Sequence, residues 1–246
     1  NYVSVNAHEM AHQWFGNLVT AETANDHWLH EGFATFYALL AEREIFGDDY
    51  YYWKLYQSAE QLKELSDQGK GEPVTKANAS SLTYYQKGAW ALHILREKMG
   101  KDAFQKAVKN YLEQNAFRNV TTQDFLTEVE AVSEIDVAQF KKDWLLQMAF
   151  QAEDALISLK KSLFMRELLN IIALREEKVA DKIEIFEQKL KLDPSPFVVE
   201  EIALQISTAL ENEAAQDLIK QILRSDYTRA QRRLLAEIQT IPENLK

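Results

Sequence analysis

The pentad His8-Glu9-Met10-Ala11-His12 constrains this chain more than any other feature of its 246 residues. Two histidines four positions apart fall on one face of an α-helix, one turn from each other. Both imidazoles can then address one point in space. Zn²⁺ suits that arrangement, since it takes neutral His nitrogens at about 2.0–2.1 Å in a tetrahedral shell. Glu9 follows the first histidine directly, so its carboxylate stands beside such an ion and can take a proton from a water held there. The bland alternative is a chance match in a helix rich in Ala and Glu. If the pentad is a site, residues 3–15 must be helical.

A candidate third ligand lies downstream. Eighteen residues separate His12 from Glu31, in Trp28-Leu29-His30-Glu31-Gly32-Phe33-Ala34. The intervening stretch carries Gly16-Asn17 and Asn25-Asp26, residues suited to reversing the chain. A helix starting near Leu29 then returns Glu31 to the histidines. His8, His12 and Glu31 make a His₂Glu set with one position open, the catalytic form of zinc coordination. The alternative is a first-turn carboxylate favoured only by the helix dipole. Asp26, Asn17 and Glu22 are candidate hydrogen-bond partners for the imidazoles. His27 and His30 flank Trp28, and a packing role suits them and His93 better than a second metal site.

Composition narrows the remaining choices. The net charge of −10 provides no electrostatic footprint for a phosphate backbone, so nucleic acid is not an expected partner. The absence of Cys removes disulfides, thiol nucleophiles and thiolate metal sites. It leaves the compartment open between cytoplasm and periplasm or exterior. No apolar run reaches the roughly 18 residues of a membrane span, and no signal peptide is expected within the chain.

Ala, Leu, Glu, Lys and Gln dominate and β-alternation is scarce, so the fold class is mainly α. Helices are expected over 3–15, 29–46, 48–67, 82–99, 102–116, 122–132, 136–148, 153–176, 178–191, 197–209, 211–224 and 227–240. Leu18-Val19-Thr20 is too short to count as a strand. Thr122 and Asp136 are expected caps, and Pro196 can open a helix. All five Trp, all seven Gly and all five His precede residue 150, which divides the chain into 1–150, bearing the site, and a helical region 151–246. From about 178 the helices recur every 16 residues or so, as in an α-solenoid of antiparallel pairs. Arg229, Arg232 and Arg233 read as a solvated face in preference to a carboxylate site.

The string Val5-Asn6-Ala7-His8-Glu9-Met10-Ala11-His12-Gln13-Trp14-Phe15-Gly16-Asn17, with Trp28-Leu29-His30-Glu31-Gly32-Phe33-Ala34, resembles the gluzincin zinc aminopeptidases of the aminopeptidase N and leukotriene-hydrolase type. The likeness continues through Tyr84-Tyr85-Gln86-Lys87-Gly88-Ala89. It is looser over Asn119–Phe125 and Trp144-Leu145, and so spans about residues 1–148. Thr35, four positions after Glu31, stands where thermolysin-type endopeptidases carry Asp, which favours the aminopeptidase branch.

The resemblance implies the helical half of a thermolysin-like domain, one Zn²⁺ per chain and peptide substrates cleaved at the first bond. It assigns Tyr85, in preference to Tyr84, to hydrogen bonding of the developing oxyanion, and leaves Lys87 a structural part. The β-rich domain and the Gly-x-Met-Glu-Asn strand that grips the substrate's amine in the family do not occur in these residues. The chain therefore reads as a fragment of a larger parent, expected to expose apolar surface and to be weakly active or inactive alone. Rival readings are a zinc endopeptidase, another zinc hydrolase (one branch of the family hydrolyses epoxides), or a non-catalytic scaffold with a structural zinc.

Overall fold

The computed structural model describes residues 2–238. Thirteen α-helices and two three-residue strands are present among them. The chain separates into two compact units between Leu159 and Lys160. The sequence reading put that division at 150/151. The last helix of the first unit accounts for the difference, because it packs on two earlier helices of that unit.

In the first unit, α1 (Tyr2–Ala11), α2 (Trp28–Phe46), α3 (Asp48–Asp67), α4 (Gly88–Met99), α5 (Lys101–Gln114), α6 (Thr122–Val132), α7 (Val137–Phe140) and α8 (Ala152–Leu159) follow in order. α2 is the central element and packs on α1, α3 and α4. Trp28, Leu29, Phe33 and Phe36 of α2 are wholly buried, each worth on the order of 2–3 kcal/mol of apolar burial. Phe33 stacks on Phe15 at 4.4 Å and meets Phe125 edge-on at 5.0 Å. Gly47 and Gly100, at positive φ, end α2 and α4 and let the next helix begin at once.

The structure departs from the sequence reading at particular points. α1 stops at Ala11, not at residue 15, because Gly16 and the following turn redirect the chain. Val19–Ala21 (β1) does form a strand, paired in parallel with Arg118–Val120 (β2). Such a short strand exists only because a distant segment supplies its hydrogen bonds. The cap of α6 is Thr121, not Thr122. Its side chain accepts from the Asp124 amide, and Asp124 reciprocates. Leu82–Lys87 and Lys141–Leu146 are π-helical where continuous α-helix was expected. The expected helix 153–176 breaks at residues 160–162, where Ser162 caps the next helix by accepting from the Met165 amide.

The second unit holds α9 (Leu163–Ile172), α10 (Val179–Leu190), α11 (Pro196–Ile206), α12 (Glu213–Leu223) and α13 (Thr228–Glu237). The end of the expected last helix, 239–240, lies outside the described residues. α9 and α13 pack on either side of α11, while α10 packs on α12, so odd and even helices form two layers. That stacking is the two-layer pattern of a helical repeat. Within it, Lys182 donates to the carbonyls of Leu174 and Arg175 and to Gln205 Oε1, and Arg175 forms a bidentate pair with Glu201. Arg229 pairs with Glu200 and Arg233 with Glu237, which makes both parts of a helix surface.

Two features of the first unit control how the site segments meet. α2 and the start of α4 touch through glycines. A Cβ on Gly32 would lie 3.1 Å from the Gly88 Cα, and one on Gly88 would lie 3.0 Å from the Gly32 Cα. Ahead of the π-helical turn, Glu72 organises residues 72–83. Its Oε1 accepts from Lys76 Nζ at 2.6 Å, and its Oε2 accepts from the Ser80 amide at 2.7 Å and Thr83 Oγ1 at 3.2 Å. The Lys76 hydrogen bond, then the Ser80 amide, hold the Glu72 carboxyl down to about 2.

Gly88→Ala is expected to destabilise the protein by about 1–3 kcal/mol, since backbone faces backbone there and neither can yield without moving a helix; a denaturant midpoint equal to that of the parent would contradict this. Because folding lowers the Glu72 pKa, its contribution is complete above the ordinary value of 4.5 and is lost as pH falls toward 2. Hydrogen-exchange protection of the Ser80 amide should decline across that window and show no such transition in Glu72→Gln.

Candidate metal centre

α1 delivers the first two site residues. Its four-residue spacing brings His8 Nε2 within 3.2 Å of His12 Nε2, although His12 sits just past the helix end. The His12 amide still bonds the His8 carbonyl at 3.3 Å, which preserves the helical offset. His12 Nδ1 donates to the Phe15 carbonyl at 3.0 Å. This bond leaves the Nε2 lone pair free to face the site. Neither Asp26, Asn17 nor Glu22 partners the imidazoles. Asp26 instead accepts from the Thr122 amide and hydroxyl at 2.7 and 2.9 Å, and from Thr23. Thr122 in turn accepts from the Trp28 indole, which ties the entry of α2 to α6.

That tie orients α2, and its first turn carries Glu31. The Glu31 Oε2 lies 3.2 Å from His8 Nε2 and 3.5 Å from His12 Nε2. The three donor atoms thus form a triangle with edges of 3.2, 3.2 and 3.5 Å. Tetrahedral bonds of about 2.0–2.1 Å require neighbouring ligand atoms roughly 3.3–3.4 Å apart. Two imidazole nitrogens and one carboxylate oxygen at that spacing fit a zinc ion. His8, His12 and Glu31 are the one metal-competent cluster among the described residues.

Burial would raise the Glu31 carboxyl, but hydrogen bonds with His8 and Tyr85 and the nearness of His12 outweigh it, and its pKa falls. Glu31 is therefore the anion a cation site needs. His30 does not join the cluster. Its Nε2 accepts the Ala21 amide at 2.7 Å, and burial, then His27 and His12, lower its pKa, so it stays neutral and structural. His27 Nε2 stands 3.6 Å from Glu31 Oε1, near the site but apart from the triangle. His93 is buried between Tyr51 and Ser158, at 2.8 Å from each hydroxyl.

Glu9 and Tyr85 border a recess of about 280 Å³ that His8 also lines, with Thr35, Leu39 and Gln86 on its walls. Tyr85 comes from the π-helical turn. Its ring lies parallel to His8, 5.4 Å between centroids, and its phenol lies near enough to Glu31 to feel that carboxylate. Burial, the Glu31 hydrogen bond and the Glu31 and Glu9 charges push the phenol up to about 12. It remains a protonated donor at neutral pH. Tyr84 points elsewhere: its hydroxyl meets the Lys76 and Ala24 carbonyls and the Ala79 amide. Sequence reasoning did not single out the glycine contact that sets Glu31 beside Tyr85. The signal was visible as Gly32 directly after Glu31 and Gly88 shortly after Tyr85, each inside a helical pattern.

Similar proteins carry the same segments. Aminopeptidase M1 of Arabidopsis thaliana is 32% identical over 180 residues, 66% of this chain and 20% of that protein. Endoplasmic reticulum aminopeptidase 1 of Homo sapiens is 34% identical over 138 residues, 53% of this chain and 15% of its own length. The chain thus spans about a fifth of the length of the curated relatives it matches. Among solved structures, an M1 zinc metallopeptidase from Deinococcus radiodurans aligns with a TM-score of 0.51 at 29% identity, covering 60% of this chain and 33% of that one. A mutant M1 zinc metallopeptidase of that organism, bound to a Tyr-Ser-Ala substrate, aligns with a TM-score of 0.50 at 31% identity. Both are M1 zinc metallopeptidases, in keeping with the donor triangle. The model of the Peptidase family M1 domain matches residues 1–144, and the chain belongs to that family.

Proposed function

We propose that this chain carries the metal-binding and proton-transfer residues of a zinc aminopeptidase that removes N-terminal residues from peptides. The observation behind this reading is the donor triangle of His8, His12 and Glu31, bordered by Glu9 and Tyr85 at one recess. One zinc per chain would be held by His8 Nε2, His12 Nε2 and Glu31 Oε2. A zinc ion bound there supplies a Lewis acid for the scissile carbonyl and acidifies a water molecule at neutral pH.

The protein's own groups do the rest. The exposed Glu9 carboxylate takes a proton from the attacking water and returns it to the leaving amine. The Tyr85 phenol, kept protonated, donates a hydrogen bond to the oxygen on which negative charge develops. The His12–Phe15 bond keeps one imidazole in the tautomer that presents Nε2. Thr35, nearly buried on the recess wall, stands where an endopeptidase of the thermolysin type has a carboxylate, and this favours the aminopeptidase reading. A related peptidase bound to a Tyr-Ser-Ala substrate supports peptides as the substrate class.

Elemental analysis should find one zinc per chain and none in His8→Ala. Glu9→Gln is expected to keep the metal and lose about 10²–10⁴-fold in kcat. Tyr85→Phe should lose about 10²–10³-fold with little change in KM. Peptides with a free amine should be cleaved and their N-acetylated forms spared. Near-normal turnover in Glu9→Gln, or equal cleavage of blocked peptides, would overturn the general-base role and the aminopeptidase reading respectively.

A further inference from the structure

Lys87 is a charged side chain in a place where charges are rare. The residue is 2% exposed, at the end of the π-helical turn that carries Tyr85. Its Nζ donates to three main-chain carbonyls: Glu72 at 2.7 Å, Gln147 at 2.6 Å and Met148 at 2.9 Å. An ammonium has three hydrogens disposed about one nitrogen, and each meets an acceptor here. The carbonyls come from two segments distant in sequence, the Glu72 loop and the stretch after the second π-helical turn. Lys87 therefore ties the Tyr85 turn to both.

The turn is pinned on its other sides as well. One residue before Tyr85, the Tyr84 hydroxyl bonds Lys76 O and the Ala79 amide. Just after Lys87, Gly88 lies against Gly32 of α2. Tyr85 is the member of the turn that faces the donor triangle, with its ring stacked parallel to that of His8, 5.4 Å between centroids. A π-helical turn has one residue more per hydrogen-bonded ring than an α-turn, so it points its side chains in directions that an α-helix would not. Such a turn persists only while its surroundings hold it.

We propose that Lys87 is a positioning residue: its three main-chain hydrogen bonds hold the π-helical turn in the form that sets the Tyr85 phenol beside Glu31 and His8. The consequence for catalysis rests on the oxyanion-donor reading of Tyr85. Lys87 touches neither the donor triangle nor the recess and acts only through the turn.

The test uses the full chain labelled with 3-fluorotyrosine, in which the Tyr85 resonance is assigned by its loss in Y85F. In K87M that resonance should shift or broaden, with zinc content retained and kcat for an aminoacyl anilide lowered about 10-fold or more at similar KM. In the Y85F background K87M should cost no further activity, because the residue it positions is already disabled. An unmoved Tyr85 resonance, or an equal fold-loss in both backgrounds, would overturn the proposal. If K87M does not fold cooperatively, K87R serves. Its planar fork cannot meet three carbonyls grouped about one nitrogen, so a smaller shift and a several-fold loss of kcat are expected, and an unmoved resonance again overturns the proposal. Should Y85F itself leave kcat unchanged, or the chain show no turnover, the catalytic consequence falls or goes unread, and the fluorine signal still decides whether Lys87 holds Tyr85.

Discussion

The backbone contact between Gly32 and Gly88 is the constraint on which the site depends. Helices carrying ordinary side chains at the crossing stand about 8–10 Å apart. Here neither residue has a Cβ, and the chains meet directly. Glu31 precedes one glycine and Tyr85 lies three residues before the other, so this contact brings the third metal-competent ligand and the phenol together. Trp28, buried in the aromatic core with Phe33 and Phe125, also packs beside this contact, its ring 3.8 Å from where a Cβ on Gly88 would lie.

Polar groups then refine what the core brings near. Asp26 accepts from Thr122 and Thr23, Thr122 accepts from Trp28, and the beginning of α2 is oriented as a result. Glu72 and Lys87 do similar work for the π-helical turn, with a carboxylate collecting amide and hydroxyl donors and an ammonium collecting carbonyls. Buried polar groups that are fully partnered cost little and specify one arrangement among many apolar packings of comparable energy. The electrostatic outcome at the site is an ionised Glu31 next to a protonated Tyr85, the pairing that a cation site with a neighbouring hydrogen-bond donor requires.

The second unit is built on a different principle. Its helices stack in two layers, each buried against near neighbours, with α11 almost entirely enclosed. Lys182 and Gln205 close the carbonyls at the end of α9 in the manner of a cap provided from another helix. The periodic spacing of these helices was readable because each contact is local in sequence.

The donor triangle of His8, His12 and Glu31 was legible for a related reason. His8 and His12 are linked by helix periodicity, and Glu31 by a turn of ordinary composition and a helix start, so short-range rules sufficed. The Glu9 position follows from the same helix. The sequence by itself determined the helical class, most helix positions and the residues able to hold a metal. What it could not determine were features created by distant segments meeting. β1 exists only against β2, α1 yields at Ala11 to the Gly16 turn, and continuous helix gives way to π-helical turns at Leu82–Lys87 and Lys141–Leu146. The partner of His12 proved to be the Phe15 carbonyl, because every residue offers that acceptor and no side-chain pattern marks it. The motif resemblance singled out Tyr85 over Tyr84, but only the tertiary structure supplies the physical reason: Tyr84 is held by the Lys76 and Ala24 carbonyls, which leaves Tyr85 to stack on His8.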